Sequence, residues 1–95
     1  MPEIHREKNR FYIGDSSQEP DAEILFEEGE PGVYAVTRTF VSPALRGSGA
    51  ARALLDKVVD LARAERKRIR PVCSYAVKVM TDAEAYQDVL VRQEQ

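Results

Sequence analysis

The chain has 95 residues, 43% of them hydrophobic and 32% charged, the balance of a globular protein with one modest core rather than a disordered one. Its 14 basic and 16 acidic side chains leave a formal charge of −2, and nothing in that balance calls for nucleic acid or a membrane surface as partner. No apolar run approaches the ~18 residues of a membrane span, the start "MPEIHREKNRF" has no apolar export segment, and the one cysteine, Cys73, has no internal partner, so a single domain over residues 1–95 in a reducing cytoplasm is expected.

Residues 7–13, "EKNRFYI", partly alternate and stop at Gly14, which predicts a first strand. "GDSSQEPD" is a run of turn formers, and "AEILFEE", 22–28, reads as a second strand. "GEPG", 29–32, then serves as a hairpin connection. The third strand, "VYAVTRTFV" at 33–41, is dense in β-branched and aromatic residues. Strict alternation along it sends Tyr34, Val36, Arg38 and Phe40 to one face and Ala35, Thr37, Thr39 and Val41 to the other. Pro43 ends it, having no N–H for a ladder.

Over residues 48–66, Ala51, Leu54, Leu55, Val58, Leu61 and Ala62 recur at helical spacing, with Arg52, Asp56, Lys57, Asp60 and Arg63 on the opposite side. The basic residues Arg66, Lys67 and Arg68 read most simply as a solvated helix end. "IRPVC", 69–73, is a short fourth strand, and Tyr75 to about Val91 reads as helical with a break near "MTDAEA", where Asp82 would cap a final helix. The order is β-β-β-α-β-α. It gives an α/β fold whose mostly antiparallel sheet has one parallel pair, with a long crossover helix and a C-terminal helical segment.

The stretch "SPALRGSGAARALL", 42–55, puts two glycines and an arginine between a strand and a helix. Free backbone N–H groups at a helix N-terminus attract anions, and glycines let a phosphate approach without meeting a Cβ. Arg46 adds a fixed positive charge. Two familiar phosphate loops do not fit. A P-loop needs Lys-Ser/Thr where Ala50 and Ala51 stand, and the dinucleotide fingerprint needs a third glycine where Arg52 stands. An ordinary turn opening a helix remains the other reading of these residues.

"TFVSPALRGSGAARALL" resembles motif A of the GCN5-related N-acetyltransferases (GNAT), Arg/Gln-x-x-Gly-x-Gly/Ala, with Arg46, Gly49 and Ala51 at its fixed positions. The resemblance implies acetyl-coenzyme A as cofactor. Its pyrophosphate would be held by Arg46, Gly47, Ser48, Gly49, Ala50 and Ala51, and its pantetheine arm by Phe40 and Val41. "IRPVCSYAVKVM" and "EAYQDVL" are further similar to a group of very small GNAT proteins of about this length, so that the likeness spans roughly residues 20–91. In that group a histidine usually precedes the threonine of "TFV", where this chain has Arg38, so no base role carries over to that position.

Acetyl transfer to an amine needs a polarised carbonyl, a deprotonated amine and a protonated leaving thiolate. Cys73 at the end of the fourth strand is either an acyl-accepting nucleophile or a lining residue of the cofactor channel. Tyr75 is the candidate general acid, Ser74 a cofactor contact and a candidate cap of the following helix, and Tyr86 a core residue. His5 reads as a surface residue. The function expected is acetyl-coenzyme A-dependent N-acetyl transfer to an amine, with no metal. A coenzyme A-binding module with weak or no catalysis is the alternative, and a monomer or weak dimer the expected state.

Overall fold

The computed structural model describes residues 3–91. Five strands form one mixed sheet in the order β1-β2-β3-β4-β5: β1 Ile4–Glu7, β2 Arg10–Ile13, β3 Ala22–Glu30, β4 Val33–Val41 and β5 Arg68–Pro71. The first four pair antiparallel, and β5 lies parallel to β4. The α/β architecture with one parallel pair is the one expected.

The predicted first strand is instead a hairpin. Lys8 and Asn9 form its turn, Lys8 with a left-handed φ of 51°, and Glu7 pairs with Arg10. Arg10 ties the hairpin to its surroundings through Glu7 and Glu23, at 2.8 and 2.7 Å. The next strand runs to Glu30, beyond the predicted Glu28, so the hairpin connection is Pro31-Gly32 alone.

Helix α1, Ala50–Glu65, carries the chain from β4 to β5 and covers the sheet. Its buried face is Ala50, Leu54, Leu55, Val58, Val59 and Ala62, packed with Ile24, Phe26 and Val36 of the sheet in one core. Leu54, Leu55 and Val58 are wholly removed from water, each side chain stabilising the fold by roughly 1.5–3 kcal/mol. Ala51 and Leu61, predicted on the apolar face, lie at its margin.

The C-terminal segment departs from the sequence reading. Helix α2 spans Ser74–Asp82, so Asp82 is its last residue rather than the cap of a further helix. A 3₁₀ turn at Glu84–Tyr86 follows. The chain then runs beside β5, where Ile69 N–H donates to Val89 O at 2.7 Å and Val91 N–H to Ile69 O at 3.0 Å. The outer edge of β5 would otherwise expose unpaired backbone groups, and this return covers it. Arg63 fastens it by two bonds to Asp88, at 2.9 and 3.0 Å.

Candidate functional site

The site grows from the place where β4 and β5 stop pairing. Their ladder ends at Val36↔Pro71, because Pro71 has no N–H to continue it. The amides of Val72 and Cys73 both turn onto Val36 O, at 2.9 and 3.0 Å, and α2 begins immediately after. Residues 37–41 of β4 therefore run on with β3 on one side and no β5 partner on the other.

A β-bulge re-aims this free stretch. On β3, Leu25 and Phe26 are adjacent, but their partners on β4 are Arg38 and Val36, which leaves Thr37 as the extra residue. Residues directly opposite in an antiparallel pair share a face. Val36 lies opposite Phe26, Thr39 opposite Ile24 and Val41 opposite Ala22, and all three β3 partners are buried. Strict alternation along β4 thus fails at Thr37. Thr39 and Val41 join Tyr34 and Val36 on the core face, while Arg38 and Phe40 face the other way. Phe40 and Val41 are both half-buried. Arg38 is mostly exposed, with Glu23 at 3.8 Å.

Cys73 occupies the mouth of the gap. Its sulfur lies 3.4 Å from Thr39 Oγ1 and accepts from Ala76 N–H at 3.5 Å. Cys73 is therefore the N-cap of α2; Ser74, the predicted cap, is its first helical residue and makes no capping bond. The structure brings Cys73 together with Thr39, which holds none of the fixed positions of motif A.

At the other end of the free stretch is the glycine turn. After a 3₁₀ turn at Pro43–Leu45 the chain passes Arg46, then Gly47 at φ 80° and Gly49 at φ 88°. Both angles lie in the left-handed region that favours glycine, and a Cβ on either would stand in open space. The turn is thus open to an approaching group. Gly49 is the N-cap of α1 and offers no side chain to it. The first helical bond is Ala53 N–H to Gly49 O, so among the described residues the amides of Ala50, Ala51 and Arg52 have no acceptor. Arg46 and Ser48 are exposed, Arg46 reaching back to Val41 O at 3.4 Å. Ala50 is buried and Ala51 half-buried.

Tyr75 lies in the first turn of α2, and Tyr86 ends the 3₁₀ turn that follows that helix. Tyr75 is half-buried, and that burial pushes its hydroxyl above the usual tyrosine range, with Arg52 opposing. Tyr86 is a core residue, as expected, with its hydroxyl engaged: it donates to Asp56 Oδ1 at 2.6 Å and accepts from Arg52 Nε. Burial first, and Asp56 second, push it up to about 12.

Two residue groups lie elsewhere. His5 lies against Tyr12 with ring centres 5.1 Å apart and planes tilted by 35°, and lines a recess of about 230 Å³ with Asp15, Asp21 and Leu45. Arg66, Lys67 and Arg68 sit at the far end of α1, about 24 Å from the glycine turn by helical rise. That run is more than a solvated helix end. Lys67 bonds Glu28 at 3.0 Å, Glu65 at 3.2 Å and Tyr34 Oη at 3.2 Å, and these partners raise its pKa. Among the described residues no cluster of His, Cys, Asp or Glu could hold a metal ion, and no helix is long and apolar enough to cross a membrane.

The structure thus sets the N-terminus of α1 beside a stretch of β4 that has no strand partner on one side. Residues 10–89 match the sequence model of the GCN5-related N-acetyl-transferases, and the chain belongs to that family. It is similar to the solution structure of a GCN5-like candidate N-acetyltransferase from Staphylococcus aureus, with 34% identity, a TM-score of 0.84, and coverage of 98% of this chain and 91% of that one. Two further solved structures share the fold. One is a GNAT-family candidate acetyltransferase from Desulfovibrio desulfuricans, at 22% identity and TM-score 0.53 over 63% of this chain and 40% of that one. The other is an integron cassette protein from the Cole Harbour Salt Marsh metagenome, at 20% identity and TM-score 0.56 over 90% and 58%. No curated protein matches the sequence.

Proposed function

We propose that this chain is an acetyl-coenzyme A-dependent N-acetyltransferase acting on an amine, and that it works as a monomer or weak dimer in the cytoplasm. The observation that carries the reading is the run of unpaired amides at Ala50, Ala51 and Arg52 behind two left-handed glycines, next to a strand edge with no partner. Three free donors, a helix N-terminus and an exposed arginine fit a diphosphate. The unpaired edge of residues 37–41 fits a pantetheine arm, whose amides pair with backbone as a strand does.

When bound, acetyl-coenzyme A supplies the acetyl thioester. The turn from Arg46 to Ala51 holds its diphosphate, and Phe40 and Val41 flank the arm. Backbone groups of β4 orient the acyl carbonyl, and Cys73 and Ser74 line the end of the groove. Tyr75 keeps its proton through the neutral range, since burial raises its pKa, and is the group able to protonate a departing thiolate.

One observation favours a second reading, a coenzyme A-binding module with weak or no catalysis. Arg38 stands where the resemblance to the small GNAT group implies a histidine, and His5 lies across β2 and β3 from it, so no imidazole serves this end of β4. Calorimetric titration with acetyl-coenzyme A tests the shared claim of binding. Release of free coenzyme A thiol in the presence of a panel of amines separates enzyme from binding module. Intact mass after mixing with acetyl-coenzyme A separates the two roles of Cys73: one acetyl group on its sulfur marks a nucleophile, an unmodified chain a lining residue.

A further inference from the structure

Arg52 is the third residue of α1, and its amide is one of the three left free at the glycine turn. Its side chain is held along one edge only. Nε donates to Tyr86 Oη, Asp56 Oδ1 lies 3.7 Å away, and the guanidinium rests over the Tyr86 ring at 4.9 Å. The two terminal nitrogens have no partner among the described residues, and the side chain is 51% exposed. Arg63, on the same helix, is the contrast: its Nε and Nη2 are both spent on Asp88, with Ala85 O as a further acceptor, and it clamps the C-terminal return.

A guanidinium fixed through Nε presents its outer pair of nitrogens as a fork, the geometry that binds two oxygens of a phosphate. Fixing it beforehand removes the ordering cost that a free surface arginine meets on binding. Tyr86 is suited to the task because it is itself immobile, 3% exposed in the core. Its hydroxyl donates a hydrogen bond to Asp56 and so turns its lone pairs to Arg52.

We propose that Arg52 is a phosphate-binding residue of the glycine turn, and that Tyr86 and Asp56 are positioning residues that hold its guanidinium ready. This rests on the coenzyme reading above and adds two elements to it, a second cation in addition to Arg46 and an indirect link, through Arg52, between the C-terminal segment and the cofactor's phosphates. The phosphate could be in the diphosphate or elsewhere on a nucleotide; the shared chemistry is an exposed phosphate oxygen pair.

The test is titration of the full chain with coenzyme A, and separately with pantetheine, which has the arm but no phosphate, followed by backbone amide NMR shifts. The variants are Arg52→Met, Tyr86→Phe and the two together. Tyr86→Phe keeps the ring in the core and removes only the hydroxyl. Loss of a charged hydrogen bond predicts coenzyme A affinity about tenfold weaker in Arg52→Met, about threefold weaker in Tyr86→Phe, and no weaker in the double variant than in Arg52→Met alone. Pantetheine affinity stays the same in all. Unchanged coenzyme A affinity in Arg52→Met overturns the binding role. Weakening in Arg52→Met with none in Tyr86→Phe overturns the positioning role. Equal loss for pantetheine and coenzyme A shows damage to the fold and overturns both. A wild-type chain that ignores coenzyme A altogether overturns the functional reading beneath them.

Discussion

The sulfur of Cys73 and the hydroxyl of Thr39 lie 3.4 Å apart across a separation of 34 residues. They meet because of Thr37. The bulge at that residue inserts one step into β4 and turns Thr39 to the core face, where a strictly alternating strand would have turned Arg38. The same residue lies beside the point where β4 and β5 part, so one irregularity accompanies the opening of the groove and places its thiol-facing wall.

Cys73 has a structural duty that is separable from chemistry, because its sulfur caps α2 through Ala76 N–H. Cys73→Ala removes the cap and is expected to cost about 0.5–1 kcal/mol in urea unfolding, while Cys73→Ser restores an accepting oxygen and stays close to wild type. Both variants should bind coenzyme A as the parent does. A thiol-release assay reads the role directly: turnover that falls in both marks a reacting sulfur, and parental turnover marks a lining residue.

Gly49→Val forces a β-branched residue to a φ of 88° at the helix mouth. The built Cβ meets nothing, so the strain is in the backbone, on the order of 1–3 kcal/mol. A folded Gly49→Val chain should bind coenzyme A at least tenfold more weakly, because the branched side chain stands where phosphate is placed. Gly32→Ala is the control. It too places a Cβ at a left-handed φ, 79°, in the β3–β4 turn, and should leave affinity alone. Equal affinity of Gly49→Val and wild type would remove the phosphate from this turn.

Tyr75→Phe should leave coenzyme A affinity within about twofold and lower kcat about a hundredfold, the usual scale for a lost general acid. Burial holds the Tyr75 hydroxyl above its ordinary pKa of 10, so it is protonated throughout the neutral range. The contribution of this group to kcat should accordingly be flat from pH 7 to about 9 and fall only at higher pH. A decline of the Tyr75-dependent rate already near pH 8 would argue for another acid.

Glu65 gives the fold a defined acid sensitivity. It accepts from Tyr34 Oη and pairs with Lys67 at 3.2 Å, and these partners, Tyr34 first, hold its carboxyl below the ordinary 4.5. A carboxylate that binds its proton less readily in the folded chain than in the unfolded one stabilises fully above pH ~4.5, and loses that effect as pH falls through its lower folded value. Glu28 and Asp88 act in the same direction, Glu28 through Gly32 N–H and Lys67, Asp88 through Arg63. Glu65→Gln should therefore show a smaller drop in urea midpoint between pH 7 and pH 3 than wild type.

The central elements were legible because each carries one dominant local signal, β-branched and aromatic density in β4 and helical spacing of apolar residues in α1. Residues 33–41 have no plausible role but a strand, and Leu54, Leu55, Val58 and Ala62 admit only a helix facing a core. The β1–β2 turn escaped notice because Lys8 and Asn9 lie inside a charged run without the glycine that usually marks a tight turn. The C-terminal return was misread because Tyr86 and Val89 are three apart, a helical spacing, while what fixes Tyr86 is the core and its bonds to α1 and what fixes Val89 is the edge of β5. At the site, the glycine turn announced itself through composition. Thr39, Arg52 and Asp56 did not, since their partners lie 30 to 34 residues away and no local pattern records such a meeting. The bulge at Thr37 left no trace either, for threonine is an ordinary strand residue.

The central claim is that a diphosphate is held by the free amides at the start of α1, and the amide resonances of that turn test it most directly. Titration of the labelled chain with coenzyme A should shift the amides of Gly49, Ala50, Ala51 and Arg52 furthest, with smaller shifts along residues 37–41 of β4. Saturable binding that leaves those four resonances in place and moves others, for instance around Lys67 at the far end of the helix, would contradict the account.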